Sequence, residues 1–188
     1  MSVPARSDLI EYSGLCALFD ALFATSENTR LVHGGEEPVY RPADARCSWH
    51  RIVFRHDYVS SALHEIAHWC IAGPQRRLCE DYGYWYSPDG RSPDRQAEFE
   101  SLEVKPQALE WIFSSACGLR FRPSIDNLYG APADAAGFAL AIQREVQRRC
   151  REGLAGRAGR FHAALAARSG RTASLHEADF SLDPAWLA

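Results

Sequence analysis

Lysine is almost missing from this chain. Lys105 is the only one, so every other positive side chain is a guanidinium, a bias we read mainly as one of coding. Also missing is any apolar run near the roughly 20 residues that a bilayer-spanning helix needs. The first residues, Met1 to Asp8, lack a basic-then-apolar signal pattern, so the expectation is a cytosolic protein that is not exported. There is no C-x-x-C pair. The six cysteines (Cys16, Cys47, Cys70, Cys79, Cys117 and Cys150) are scattered, which argues against a structural zinc knot or disulfide frame and for reduced, packed thiols. No internal repeat, Walker-type loop, G-x-G-x-x-G turn or G-x-S-x-G elbow is present. The usual signatures of nucleotide binding and serine hydrolysis are therefore absent.

What is there suits one globular domain. The chain has 188 residues, 46% hydrophobic and 24% charged, with a net charge of −3, enough for a single core and short for two. The charge is unevenly spread. Arg144, Arg148, Arg149, Arg151, Arg157, Arg160, Arg168 and Arg171 face only Glu145 and Glu152 over that interval. A solvated helical face is the plain explanation; a docking surface for an acidic protein or RNA is the functional one.

One stretch carries metal chemistry. In Leu63-His64-Glu65-Ile66-Ala67-His68-Trp69, two histidines four apart fall one above the other on a helix and can offer two imidazole nitrogens to one ion. Asp57, Ser60 and Ser61 are candidate N-caps, with Gly73 and Pro74 as the stop. Leu63, Ile66, Ala67, Cys70 and Ile71 make the buried stripe, and the histidines stand beside it.

Around this helix the chain reads as alternating short elements. Asp8 to Phe23 predicts a helix, with Asp8 and Glu11 as a capping box and Leu9, Tyr12, Cys16, Phe19 and Phe23 inward. Thr29–Val32 and Val39–Tyr40 are strand candidates flanking Gly34-Gly35, a hairpin-type signal, and Arg51–Arg55 is the best strand. The connection from Gly73 to Ser92 holds Glu80, Asp81, Tyr84, Trp85, Tyr86 and Asp89. Aromatic walls with acidic tips suit a cationic ligand, so these six are candidate substrate contacts. Ser92-Pro93 starts another helix, with Phe99, Leu102, Leu109, Ile112 and Phe113 inward. Pro106 should kink or restart it. Glu103, just before that proline, is the candidate third ligand, with Glu100 in reserve. Two further helices are predicted, Pro132 to Glu152 and Arg157 to Ser169, before an irregular tail over 171–188.

Two imidazoles and one carboxylate leave open coordination positions. With zinc they activate water for hydrolysis, Glu65 serving as general base. With ferrous iron the same donors form the triad that activates dioxygen. The residue types alone do not separate these chemistries. A metal-stabilised RNA module, suggested by the arginines, is a third class.

Longer blocks go further. Asn28-Thr29-Arg30-Leu31, Glu37-Pro38-Val39-Tyr40, Arg51-Ile52-Val53-Phe54, His64 through Gly73, Gly83 through Arg91 and Glu103-Val104-Lys105-Pro106-Gln107-Ala108-Leu109 resemble, in order, the elongation factor P hydroxylases of bacteria. The likeness runs from about residue 8 to about residue 170, more loosely in the last third. It implies a cytosolic enzyme with a zincin-like α+β fold forming one catalytic domain over 1–188. It also implies a mononuclear Fe(II) centre held by His64, His68 and Glu103, with dioxygen as co-substrate. The implied substrate is the β-lysylated lysine of elongation factor P; no membrane or direct nucleic-acid partner is implied. Glu65 would then orient the site or handle a proton.

Overall fold

The computed structural model describes residues 10–82, 90–125 and 134–187. Among them, five α-helices and three β-strands build an α+β fold. In chain order these are α1 (Tyr12–Phe23), β1 (Thr29–Gly35), β2 (Val39–Arg41), β3 (His50–Arg55), α2 (Val59–Ile71), α3 (Pro93–Ala116), α4 (Ala135–Glu152) and α5 (Gly156–Arg168).

The sheet corrects the hairpin expected at Gly34-Gly35. Its order is β1-β3-β2. β3 lies in the centre, parallel to β1 and antiparallel to β2, so the two strands flanking the glycine pair never touch as a ladder. Instead β1 runs on through a register shift between Val32 and Gly35. A Cβ on Gly35 would fall 2.7 Å from a methyl of Val53. Glycine is needed there for close approach of the chains rather than for a turn.

Two cores form, and α3 is shared between them. The first joins Leu15, Phe19 and Phe23 of α1, Ile52 and Phe54 of β3, Leu63, Ile66 and Trp69 of α2, Leu109 and Phe113 of α3, and Phe161 and Leu165 of α5. The second joins Ala108, Trp111 and Ile112 of α3 to Phe121, to Phe138, Ile142 and Val146 of α4, and to Phe180. The C-terminal segment is therefore not a loose tail. It makes two 3-10 turns, buries Phe180 and sets Trp186 edge-on against Trp111, because its few aromatics find an apolar wall to cover.

Several local expectations shift. The first helix begins at Tyr12, and Asp8 and Leu9 lie outside the described residues. α2 is entered from Tyr58 without a side-chain cap, and its buried stripe takes in Ala62 and Trp69 while Ile71 is exposed. Ser61 turns back to accept the Arg55 N–H at 3.0 Å. At the other end Arg157 caps the helix, donating to the carbonyls of Ala72 and Cys70 at 2.6 and 3.3 Å with its guanidinium over Trp69. α3 starts with Pro93 at its first turn, as predicted, but it continues through Pro106 without restarting, and Leu102 is exposed. Asp134 caps α4, accepting from the N–H of Gly137.

Much of the arginine cluster is used within the fold. Arg148 pairs with Glu145 and Glu152, Arg149 with Glu145, and Arg151 with Glu177. Arg160 donates to the Leu22 carbonyl and covers Phe23. All six cysteines are free thiols; burial pushes those of Cys70 and Cys117 up to about 12. No helix among the described residues is long and apolar enough to cross a membrane.

Candidate metal centre

Helix α2 splits into two faces. Leu63, Ile66 and Ala67 are fully buried, whereas His64, Glu65 and His68 are half-buried and line a cleft. The apolar stripe fixes the helix rotation and so aims the i, i+4 histidines at the opposite wall. α3 supplies that wall through an unusual pattern. Gln96, Glu100, Glu103, Gln107, Glu110 and Ser114 recur at the three-and-four spacing that normally carries apolar residues, and all six are buried or half-buried.

At the centre, His64 Nε2 and His68 Nε2 are 3.0 Å apart. Glu103 places one carboxylate oxygen 3.1 Å from His68 Nε2 and the other 3.5 Å from His64 Nε2. These donor atoms lie within 4.8 Å of one another, and the three residues form the group among the described residues that could hold a metal ion. Donors about 2.1 Å from one ion stand roughly 3.0–3.4 Å from each other, so the spacing fits. A second observation agrees. Glu103 is 1% exposed, and the polar neighbour of its Oε1 is His68 Nε2, with no further hydrogen bond made to that oxygen, so a cation between the two would satisfy it.

Electrostatics bind the cluster together. Burial opposes charge on Glu103, yet His68, His64 and the Gln107 amide prevail and hold its carboxyl at about 2. Burial likewise opposes protonation of His64, but the Glu110 hydrogen bond and the charges of Glu103, Glu110 and Glu65 raise it to about 10. Glu65 goes the other way: burial raises it above the ordinary carboxylate range, against the pull of both histidines.

The predicted residues fall into three sets. His64, His68 and Glu103 converge, with Glu65 lining the same cleft. Glu100 stays a turn away, accepting from Gln96 Nε2 at 2.9 Å. Glu80 pairs with Arg41 and accepts from the Tyr82 hydroxyl, and Asp81 accepts from both Nε and Nη2 of Arg76. Neither of these acids lines the cleft. Tyr84, Trp85, Tyr86 and Asp89 lie outside the described residues. Sequence reasoning missed Gln107, Glu110 and the Glu36–Glu37 pair at the cleft wall. The 3-and-4 recurrence of polar residues along α3 was the available signal for the first two.

An α+β fold that gathers two imidazoles and a buried glutamate beside a cleft of about 1030 Å³ has a donor set that could hold a metal ion. Comparison with known proteins narrows the class. Residues 18–180 match the family model described as elongation factor P hydroxylase, EpmC. Over 153 residues, 81% of this chain and 86% of the relative, the sequence is 50% identical to the elongation factor P lysine hydroxylase of Haemophilus influenzae. The chain belongs to the elongation factor P hydroxylase family and is an enzyme of the oxidoreductase type. The metallohydrolase and RNA-module alternatives find no support in these matches.

Proposed function

We propose that this chain hydroxylates the β-lysylated lysine side chain of elongation factor P at a single metal ion, Fe(II), held by His64, His68 and Glu103. The observation that carries the proposal is the convergence of these three donors on the cleft in a chain 50% identical to a named lysine hydroxylase. Ferrous iron held by two imidazoles and a carboxylate keeps positions open for dioxygen. The arrangement, a helix bearing His-Glu-x-x-His facing a glutamate from the next long helix, is zincin-like, and the whole chain serves as one catalytic domain.

The remaining assignments follow from charge and size. A cleft of about 1030 Å³ stands at the upper end of small-ligand sites and accommodates a long side chain carried by another protein. Glu36, Glu37 and Glu65 line it, and Glu36 and Glu37 have no ion-pair partner among the described residues. Amino groups of a β-lysylated lysine suit those two carboxylates. The aromatic segment with Tyr84, Trp85, Tyr86 and Asp89 remains a proposed wall for the same cation. Glu65, half-buried and adjacent to a ligand, handles a proton or orients the site. The cytosol, where elongation factor P acts, is the proposed location.

Inserting one atom of dioxygen into a C–H bond consumes two electrons and two protons and leaves water, so the test includes a reductant. The metal-free chain is loaded anaerobically with Fe(II) or Zn(II) and mixed with β-lysylated elongation factor P and ascorbate. The substrate's intact mass is then read with and without air. A gain of one oxygen atom that needs both iron and air is expected. Oxygen-independent cleavage that disappears in Glu65→Gln would replace the proposal with hydrolysis.

A further inference from the structure

We infer that Glu110 is a positioning residue of the metal centre, fixing His64 in the tautomer and orientation that turn Nε2 toward the ion. This rests on the metal centre proposed above and adds a residue to it.

His64 can ligate through Nε2 only if that nitrogen keeps its lone pair, which puts the ring proton on Nδ1. Glu110 Oε2 lies 2.8 Å from His64 Nδ1. A carboxylate there accepts and does not donate. The same contact fixes the ring's rotation, because the bond is made across 46 residues of sequence, from α3 to α2. Glu110 stands seven residues after Glu103, two turns along the same face. One helix therefore supplies both the carboxylate in front of the imidazole and the carboxylate behind it.

Two features argue that this is more than an ordinary ion pair. Glu110 is only 13% exposed and, among the described residues, makes no ion pair with an arginine or lysine; its ion-pair partner is His64. A buried carboxylate is costly without compensation, and here the compensation comes from a histidine of the site. In addition, the paired histidines are unequal. His68 Nδ1 has no hydrogen-bond partner among the described residues, so His64 is the one of the two that a carboxylate holds from behind.

The test compares the full-length chain with Glu110→Ala and Glu110→Gln. Each is titrated with cobalt(II), reading the visible absorption of the bound ion and its affinity against a chelator. Side-chain ¹⁵N spectra of the zinc-loaded proteins report the His64 tautomer. Wild type should bind one equivalent with His64 protonated at Nδ1. Glu110→Ala should bind about 10–100-fold more weakly, with an altered cobalt spectrum. Glu110→Gln keeps an acceptor oxygen and should fall between the two. A folded Glu110→Ala with wild-type affinity and spectrum overturns the inference and leaves the metal centre standing. A wild-type chain that binds no divalent ion overturns both. Should Glu110→Ala fail to fold, Glu110→Gln decides alone: a loss of about threefold or more supports the role, and equality with wild type overturns it.

Discussion

The side-chain amide of Gln107 lies against the backbone of Ser124, accepting that residue's N–H at 2.9 Å and donating to its carbonyl at 2.7 Å. The same nitrogen reaches Glu103 Oε2 at 3.3 Å. Gln107 is 1% exposed, so one side chain ties the segment after α3 to the buried carboxylate. Replacing it with alanine leaves the Ser124 groups and one Glu103 oxygen without these partners. Gln107→Ala should lower unfolding stability by about 2 kcal/mol and weaken divalent-metal binding. Urea denaturation and cobalt titration of the same preparation check both. Lost stability with unchanged metal affinity would confine Gln107 to the fold.

These side chains also mark what the sequence made legible. The i, i+4 histidines were readable because one helix places both, and short range is where periodicity informs. Glu103 stands out by its place before Pro106 and by its Glu-Val-Lys-Pro block, not by spacing, since its partners sit on another helix; α3 runs on through Pro106, and the turn of the helix rather than a restart aims the carboxylate. Glu110 was hidden for the same reason, although a lone acid within Ala108-Leu109-Glu110-Trp111-Ile112-Phe113 is an anomaly that a polar-stripe search along α3 would find. The pairing of β1 with β3 was not legible. Gly34-Gly35 satisfies the local rule for a hairpin, and only the central placement of β3 overrides it. Glu80 and Asp81 read as substrate contacts because they sit among aromatics in sequence; their ion pairs with Arg41 and Arg76 are long-range or loop-specific contacts that no pattern shows.

In the sequence Arg157 belongs to the arginine-rich stretch, yet in the fold it closes the end of α2. Its bonds to the Ala72 and Cys70 carbonyls and its position over Trp69 replace the missing glycine cap. Arg157→Ala should cost about 2–3 kcal/mol. Exposed Arg144→Ala should stay within about 0.5 kcal/mol of wild type. Chemical denaturation of the two variants compares them directly; equal, small effects would return Arg157 to the surface class.

Acid should destabilise the fold through His162. This residue of α5 is buried, and burial lowers its pKa below the ordinary value of 6.5. The unfolded chain therefore binds a proton that the folded chain refuses. Stability falls as pH drops through 6.5 and levels off below the folded value. A non-titrating His162→Phe removes that term. The stability advantage of wild type over the variant should shrink between pH 7.5 and 5.5, measured by urea titration at each pH. A gap that does not vary with pH would show that His162 is not protonated on unfolding in this range.

Glu36 and Glu37 follow β1 and line the cleft while remaining exposed. If they receive the amino groups of the substrate, they act by charge in water. Exposed pairs of that kind are worth about 0.2–1 kcal/mol each, so each loss should raise KM by about 1.4-fold to fivefold and leave kcat nearly unchanged. The double variant Glu36→Gln/Glu37→Gln should show a larger KM and a weaker dependence on salt, because screening then has less attraction to remove. Glu80→Gln offers the contrast: its carboxylate already faces Arg41 and Tyr82, and KM should hardly move. Steady-state hydroxylation of β-lysylated elongation factor P at low and high ionic strength measures all three. A KM that responds to Glu80→Gln but not to the double variant would move the cation-binding wall from the β1–β2 connection to the aromatic segment after α2.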